Sequence, residues 1–284
     1  MAKLRRKIQK FFFREQWSLL VCDISGKILK HIAPAKGISW ADPFPIESNG
    51  HYYIFIEQQI GYNNGTLGYI ELFSDLSHSP FVTILEKNYH LSYPNVFSLN
   101  VEGQNKWYMI PESNENNTID LYAAVDFPGK WEYERTLLSG IKAVDTSIIN
   151  QEGYWYLFTS CETDTTGLND SLFIFSSESF PSSEWKAHPA NPARHNLSGS
   201  RMAGRIFLDN NGRMIRPAQS CVREYGESLI LNLIGTLDQK HFSETKCHSY
   251  KPEGKYFAVC THTWNQSGEY LLRDIKTRIA RIRR

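Results

Sequence analysis

Apolar and polar residues alternate along most of the chain in short runs, and turns that contain Gly separate these runs. In the segment 42–57, DPFPIESNGHYYIFIE, an apolar run is followed by Asn49-Gly50 and a second apolar run. Gly accepts the positive φ of a tight turn, so this pattern is typical of a β-hairpin. Between residues 17 and 270 no segment shows the periodicity of an amphipathic helix. The pattern therefore predicts an all-β protein.

The hairpin pattern recurs along the chain at intervals of about 50 residues. Inner strands are predicted to start near residues 42, 93, 145 and 204, and a fainter copy starts near 247 and ends at His262. Strand-like runs between the copies give about four short strands per repeat, which is the signature of a β-propeller. The sequence predicts a five-bladed β-propeller over residues 16–272, with an outer strand from residues 16–29 closing the ring. A two-sheet sandwich is the alternative.

The charge pattern adds two basic ends to this domain. Residues 1–14 carry six Lys or Arg and no acid, and residues 273–284 carry six Lys or Arg and one Asp. The remaining residues have 19 basic and 29 acidic side chains, a net charge of about −10. We expect short, helical, basic extensions at 1–15 and 273–284, which could bind an anionic membrane surface. The alternative is that both ends are solvated or packed against the domain.

Several classes of protein are disfavoured by the sequence. No apolar run is long enough to cross a membrane, and the basic start is too short and polar for a signal peptide. The five Cys include no CxxC pair, which argues against a disulfide framework and a zinc site. We expect no metal, no cofactor and no nucleic-acid partner, because the body is acidic and lacks nucleotide-binding Gly motifs. The predicted location is the cytoplasm, peripheral to the inner face of the membrane.

Propeller geometry predicts where the chemistry lies. The innermost strand of each blade lines the axis, and the antiparallel second strand returns to the level at which the first began. The two open ends of every repeated hairpin should therefore meet at one end of the axis. The candidate site residues gathered in this way are Asp42, Glu57, Tyr93, Glu112, Asp145, Gln219 and His262.

The motifs ADPF (41–44) and AVDTS (143–147) resemble those of the five-bladed propellers in the arabinanase/xylosidase and invertase/levansucrase clans of glycoside hydrolases. In those enzymes strand-initial Asp residues, often followed by Pro, surround the sugar. Asp42 fits this pattern, and Asp145 fits as the second carboxylate although Thr follows it. Their general acid, a Glu in a Glu-Gly-Pro setting, has no match here, and Glu112 in YMIPES is the substitute.

A closer resemblance covers nearly the whole chain after residue 35. The motifs ADPF, HLSYPNVF, YMIPES, AVDTSI and RPAQSC are similar to those of the propeller at the N-terminus of plant glucosamine inositolphosphorylceramide transferases and of related bacterial proteins. In the plant proteins the transferase chemistry is attributed to a separate domain, which this sequence lacks. The resemblance implies a hydrolase-like propeller in glycan assembly.

Two carboxyl groups are the usual catalysts of glycosidic bond cleavage. By position, Asp42 would be the base or nucleophile and Glu112 the acid. Asp145 would tune pKa values or hold sugar hydroxyls, and Glu57 would assist. Propellers that only bind sugars also surround their axis with Asp, Glu and Gln. Catalysis and binding therefore both remain open at this point.

Basic residues indicate the kind of substrate. Arg201 and Arg205 flank the start of the fourth inner strand, and Arg216 lies in its partner strand. Because Arg binds phosphate and carboxylate groups through a planar fork, these residues predict an anionic sugar substrate. The alternative is that they only neutralise buried acids. Three hypotheses follow: glycosyl transfer in cell-surface polysaccharide or glycolipid biosynthesis, glycoside hydrolysis, and non-catalytic glycan binding.

Overall fold

In the computed structural model, which describes residues 13–280, the chain forms five antiparallel sheets. Two single turns of 3₁₀ helix, Asn114–Asn116 and Gly254–Tyr256, accompany the strands. The strands are, in chain order, β1 (Phe13–Asp23), β2 (Ile28–Ile32), β3 (Ile38–Ser48), β4 (His51–Ile60), β5 (Thr66–Leu72), β6 (Val82–Leu85), β7 (Ser92–Val101), β8 (Gln104–Glu112), β9 (Thr118–Asp126), β10 (Lys130–Ser139), β11 (Lys142–Gln151), β12 (Tyr154–Glu162), β13 (Ser171–Ser177), β14 (Lys186–Ala187), β15 (Arg194–His195), β16 (Ser198–Met202), β17 (Phe207–Leu208), β18 (Met214–Ser220), β19 (Ser228–Leu237), β20 (Phe242–Tyr250), β21 (Ala258–Cys260), β22 (Trp264–Ser267) and β23 (Tyr270–Ala280).

Each sheet is one blade of a propeller, as the sequence predicted. Blade one is β3–β6 and blade two is β7–β10, while blade three is β11–β14 with β15 added to β13. Blade four has the order β16, β18, β19 and β20, with β17 paired to β18. In blade five, β23 pairs with β21 and β22 on one side and with β1 on the other, and β2 follows β1. The two N-terminal strands therefore complete the last blade and close the ring.

The fifth repeat differs from its prediction. Residues 242–250 form β20, which pairs with β19 as the outermost strand of blade four. Most of its side chains are exposed, as expected at the edge of a blade and not at the axis. The inner edge of blade five is instead built from β21 and β22. The prediction that the inner strand of blade five starts near residue 247 is therefore wrong, and this strand starts at residue 258.

The terminal extensions also differ from the helical prediction where they are described. Residues 13–15 belong to β1 and residues 273–280 to β23, and the two strands pair from Phe13 with Ala280 to Asp23 with Tyr270. Residues 1–12 and 281–284, on which the rest of that prediction falls, lie outside the described residues. Within residues 13–280 we find no helix that has both the length and the apolar character needed to span a membrane.

A bulge recurs at the start of the inner strands. The register between inner and second strand shifts after Ala41 in blade one, after Ser92 in blade two and after Val144 in blade three. The residues inside these shifts, Asp42 and its counterparts in the next two blades, have φ values of 51°, 48° and 55°. Positive φ is uncommon for residues other than Gly, and a bulge redirects a side chain out of the regular alternation. The repeated bulge thus gives Asp42, Tyr93 and Asp145 equivalent positions at the axis.

Candidate active site

Asp42 lies at the junction of blades one, two and five. Its carboxylate accepts hydrogen bonds from the backbone N–H of Tyr93 at 3.2 Å and from the hydroxyl of Thr263 at 2.9 Å. Its own N–H donates to Asp274 Oδ2 at 3.1 Å. Burial raises the pKa of Asp42 to about 6, against the opposing charge of His262. Asp42 is therefore a fixed carboxyl group whose proton equilibrium is close to neutral pH.

His262 and Asp274 form a buried ion pair beside Asp42. His262 Nδ1 lies 2.6 Å from Asp274 Oδ2 and 3.8 Å from Asp42 Oδ1. Asp274 Oδ1 also accepts the N–H groups of His262 and Thr263. Burial favours neutral imidazole, but the two neighbouring carboxylates outweigh it and raise the pKa of His262. The same contacts lower the pKa of Asp274 in spite of its burial.

Arg201 connects the carboxylates of blades two and three. Its Nε donates to Asp145 Oδ2 at 2.6 Å, and its Nη2 lies 3.6 Å from Glu112 Oε2. Gln219 Nε2 also donates to Asp145 Oδ2, at 2.9 Å. Burial raises the pKa of Asp145 to about 7, while Arg201 opposes this shift. The charge of Arg201 is therefore largely balanced by carboxylates of the protein itself.

Glu57 has a different environment. Its Oε1 lies 3.4 Å from His90 Nε2, and its side chain is 12% exposed. Burial raises the pKa of Glu57 well above its usual range, and the charges of Asp42 and Glu112 act in the same direction. Burial and the neighbouring acids thus both favour the protonated form of Glu57.

These groups surround a pocket of about 200 Å³ at one end of the axis. This volume is below the roughly 300–1,000 Å³ of pockets that hold drug-sized ligands, so it suits a single sugar ring. The pocket is lined by Trp17, Ser39, Ala41, Asp42, Glu57, Gln59, His90, Ser92, Glu112, Arg201, Tyr225 and His262.

Most of the predicted site residues come together here. Asp42, Glu57, Glu112, Arg201 and His262 line the pocket. Three others lie behind this lining: Asp145 accepts a hydrogen bond from Arg201, Gln219 donates to Asp145, and the N–H of Tyr93 donates to Asp42. The hydroxyl of Tyr93 is directed elsewhere, to Ser147 Oγ at 2.9 Å.

The structure does not bring Arg205 and Arg216 into the pocket lining. Arg205 donates to the carbonyl groups of Pro45 and Val96, which ties blade four to blades one and two. Arg216 is fully buried and pairs with Glu244 at 2.6 Å. The guanidinium groups of both residues are therefore engaged inside the fold.

Of the residues at the site that the sequence did not predict, Asp274, Trp17 and Tyr225 contact its charged groups directly. Asp274 had been assigned to the basic tail, although the alternation in residues 270–280 could have revealed a strand. Trp17 belongs to the predicted closing strand, and its ring stacks on His262. Tyr225 follows β18 in a loop and carries no sequence signal; its ring lies under the Arg201 guanidinium at 4.7 Å.

Asp42, His262 and Asp274 form a group that could hold a metal ion, since their ligand atoms lie within 4.8 Å of one another. Their carboxylate oxygens already accept hydrogen bonds from Tyr93, Thr263 and His262. A cation at this point would compete with that network. We therefore treat the group as an ion pair within the protein.

Comparison with known proteins places the chain among glycosyltransferase-related propellers. The sequence model of the family described as "Glucosamine inositolphosphorylceramide transferase 1, N-terminal" matches residues 31–272. Glucosamine inositolphosphorylceramide transferase 1 of Arabidopsis thaliana is 33% identical over 214 residues, which are 72% of this chain and 27% of that protein. The chain thus spans about a quarter of the length of its curated relatives.

Solved structures share the fold at low sequence identity. The catalytic domain of the GH62 α-L-arabinofuranosidase of Coprinopsis cinerea has a TM-score of 0.62 and 13% identity, over 94% of this chain and 98% of that one. A mutant of the GH43 protein BlXynB of Bacillus licheniformis has a TM-score of 0.58 and 17% identity, over 82% and 52%. The expected resemblance to hydrolase-type propellers is confirmed at the level of the fold.

Proposed function

This chain belongs to the family of the N-terminal domain of glucosamine inositolphosphorylceramide transferase 1, and we propose that its propeller binds a sugar at the axial pocket and acts in glycosyl transfer during cell-surface polysaccharide or glycolipid biosynthesis. The observation that carries the proposal is the convergence of buried or largely buried carboxyl groups from four blades at one sugar-sized pocket. These carboxyl groups belong to Asp42, Glu57, Glu112, Asp145 and Asp274.

The charge of the site indicates which part of the substrate enters it. The carboxyl groups outnumber the cations Arg201 and His262, and Arg201 is already paired with Asp145. Such a pocket attracts an ammonium group and repels a phosphate. The plant relatives are named as glucosamine transferases. We propose that an amino sugar occupies the pocket and that the phosphate of a phosphorylated substrate remains outside the carboxylate ring.

Asp42 is suited to the role of general base. A base is most effective when its pKa is near the working pH, and burial brings the pKa of Asp42 to about 6. Its hydrogen bonds from Tyr93 and Thr263 hold the carboxylate in one orientation. Arg201 and Gln219 hold Asp145 behind the pocket, where its charge raises the pKa of Asp42. Asp42 would take the proton of the acceptor hydroxyl as it attacks the sugar.

Sugar binding tests the proposal directly. We expect glucosamine to bind more tightly than glucose or N-acetylglucosamine in isothermal titrations, because only glucosamine carries an ammonium group. Asp42→Asn should weaken glucosamine binding about tenfold or more, as expected for a lost hydrogen bond to a charged group. Asp164→Asn, in an exposed loop, is the matched control. Equal affinities of the wild-type protein and Asp42→Asn would refute the proposed site.

Glycoside hydrolysis by the same carboxyl groups is the second candidate. It is favoured by the fold, which the GH62 and GH43 proteins share. Incubation with UDP-glucosamine and inositolphosphorylceramide distinguishes the candidates by their products. Transfer gives a glycosylated lipid, and hydrolysis gives the free sugar. Binding of glucosamine without either product would support the third candidate, a glycan-binding module.

We also propose that the pocket face meets an anionic membrane surface on the cytoplasmic side. The paired strands β1 and β23 end together at Phe13 and Ala280, beyond the level at which Trp17 and Asp274 reach the site. Both ends of the described chain therefore lie on the side of the propeller that carries the pocket, and the basic residues 1–12 and 281–284 are joined to them in sequence. An amino sugar on a lipid would reach the pocket from this side.

Vesicle sedimentation tests this orientation. We expect binding to phosphatidylcholine vesicles that contain phosphatidylserine, and little binding without it. Replacing Arg5, Arg6 and Lys7 by Gln should reduce binding, since each basic residue near such a surface contributes about 1 kcal/mol. Replacing Lys130 and Lys186, which are exposed on the opposite face, is the control. Equal losses in both variants would contradict the proposed orientation.

A further inference from the structure

The carboxyl groups that line the pocket differ in their hydrogen-bond partners. Asp42 accepts a backbone N–H and a hydroxyl. Glu112 accepts the side-chain amide of Asn114 at 2.9 Å and lies 3.6 Å from the Arg201 guanidinium. Within residues 13–280, Glu57 accepts no hydrogen bond from backbone or side chain; its near polar neighbour is His90. A carboxylate without donors is costly to bury, so the geometry favours the protonated form of Glu57.

His90 does not supply the missing positive charge. The N–H of Gly65 donates to His90 Nδ1 at 2.9 Å, and this bond requires a lone pair on Nδ1. The ring is therefore neutral and carries its proton on Nε2, which lies 3.4 Å from Glu57 Oε1, too far for a well-formed hydrogen bond, and brings no positive charge to Glu57. Burial also lowers the pKa of His90, which favours the same neutral form.

Gly65 allows Glu57 and His90 to approach each other. A Cβ at position 65 would lie 2.7 Å from Glu57 Oε1 and 2.9 Å from His90 Cε1, and it would also overlap the carbonyl oxygen of Leu91. The closeness is possible because Gly has no side chain. This arrangement fixes Glu57 in the pocket wall, 12% exposed, with its carboxyl group turned toward the site.

The largest charge effects on the pKa of Glu57 come from four acids, Asp42, Glu112, Asp145 and Asp274. Two cations, Arg201 and His262, line the same pocket, but Arg201 is paired with Asp145 and His262 with Asp274. Burial together with the charges of the four acids keeps the pKa of Glu57 well above its usual range. Protonation at neutral pH is the state that a general acid requires.

We propose that Glu57, and not Glu112, is the proton donor of the axial pocket. This inference rests on the proposed function. As the bond between the sugar C1 and the departing oxygen breaks, the proton of the Glu57 carboxyl group passes to that oxygen. The acceptor hydroxyl forms the new bond to C1 and gives its proton to Asp42. One proton enters and one leaves the pair of carboxyl groups, so the step is balanced, and exchange with water restores both groups.

The protonation of the Glu57 carboxyl group can be measured without a substrate. In protein labelled with ¹³C at the Glu side-chain carboxyl carbons, we expect one resonance to titrate with an apparent pKa well above the range of the others. This resonance should be absent in Glu57→Gln and present in Glu112→Gln, which is the matched control. Its persistence in Glu57→Gln, or its loss in Glu112→Gln alone, would overturn the assignment.

Turnover separates this inference from the proposed function. With UDP-glucosamine and inositolphosphorylceramide, Glu57→Gln should lower kcat about 100-fold or more and remove the alkaline limb of the pH profile, since general acids contribute roughly 10²–10⁴-fold. Loss of turnover in Asp42→Asn with full turnover in Glu57→Gln would refute Glu57 as the donor while the proposed function stands. Failure of the wild-type protein to bind glucosamine would refute the proposed function, whatever the carboxyl titration shows.

Discussion

Trp17 stacks on the imidazole of His262, with ring centroids 4.0 Å apart and ring planes inclined by 18°. Trp17 belongs to β1 near the start of the described chain, and His262 precedes β22 near its end. The contact exists because β1 pairs with β23 and completes blade five. Closure of the ring and completion of the pocket are therefore one structural event.

Removing the Trp17 ring should lower both the stability of the closed propeller and the affinity of the pocket for glucosamine. We expect Trp17→Ala to lower the free energy of unfolding by about 1–3 kcal/mol, because an aromatic side chain that is partly buried loses its packing. Glucosamine affinity should fall as well, since His262 loses the ring that fixes its plane. Trp17→Phe keeps a stacked ring and is the control. Urea unfolding and isothermal titration measure the two effects, and unchanged affinity in Trp17→Ala would contradict the link.

The stability of the protein should depend on pH through Asp42. Its pKa rises from 3.8 to about 6 in the folded state, so the folded state holds a proton that the unfolded chain releases between these values. The contribution of Asp42 is therefore complete below 3.8 and is lost as the pH rises through about 6. Relative to wild type, Asp42→Asn should gain about 3 kcal/mol between acid and neutral pH, the equivalent of roughly two pKa units.

Asp42→Asn alters hydrogen bonds as well as the proton equilibrium of residue 42. The way in which the free energy of unfolding changes with pH separates these two effects. Lost hydrogen bonds from Tyr93 and Thr263 lower stability by a similar amount at every pH, whereas the proton effect changes with pH. Urea unfolding in a series of buffers measures the slope, and Asp164→Asn provides the reference. Parallel curves for the wild-type protein and Asp42→Asn would contradict the raised pKa.

The sequence was informative wherever a residue's position depends on local pattern. Asp42, Glu57 and Glu112 stand at the ends of hairpins, and hairpin geometry alone brings such ends to one level of the axis. Asp274 depends instead on the pairing of β23 with β1, which are more than 200 residues apart in the chain. The sequence predicted that residues 16–29 close the ring, but no local pattern identified residues 270–280 as their partner strand, and the basic residues around Asp274 suggested a helical extension.

The Arg residues show a second limit of local pattern. The sequence predicted Arg201, Arg205 and Arg216 alike as substrate-binding residues, because the position of a residue in a strand does not tell which way a long side chain turns. In the structure only Arg201 reaches the pocket lining, because Asp145 and Glu112 attract its guanidinium. Arg205 and Arg216 are held by carbonyl oxygens and by Glu244.

Arg216 should accordingly matter for stability and not for the sugar. Arg216→Met leaves the buried Glu244 with Arg194 as its remaining partner and should cost about 3–5 kcal/mol, the usual penalty for breaking a buried pair. Lys186→Met removes an exposed pair with Glu178 and should cost less than about 0.5 kcal/mol. Thermal or urea unfolding compares the variants. A loss of glucosamine affinity in the folded fraction of Arg216→Met would restore its predicted role in binding.

Gly204 should be the position at which blade four tolerates no side chain. It has a φ of 146°, and an added Cβ would lie 2.8 Å from Asn265 Oδ1 and overlap the carbonyl group of Trp264. Asn265 in turn accepts the N–H of Arg205 at 2.8 Å, so the contact between blades four and five passes through this point. We expect Gly204→Ala to lower the free energy of unfolding by about 2–4 kcal/mol, from backbone strain and overpacking together.

Gly254 provides the matched control for Gly204, because its φ lies outside the left-handed region and an added Cβ would meet no atom within 4 Å. Gly254→Ala should change stability by less than about 1 kcal/mol and in the stabilising direction, since it restricts the unfolded chain. Urea unfolding of both variants separates crowding at the blade junction from the general effect of replacing Gly. Equal stability of Gly204→Ala and Gly254→Ala would mean that blades four and five can move apart without cost. The contact between these blades at Gly204 would then not fix the distance between Arg201 and His262.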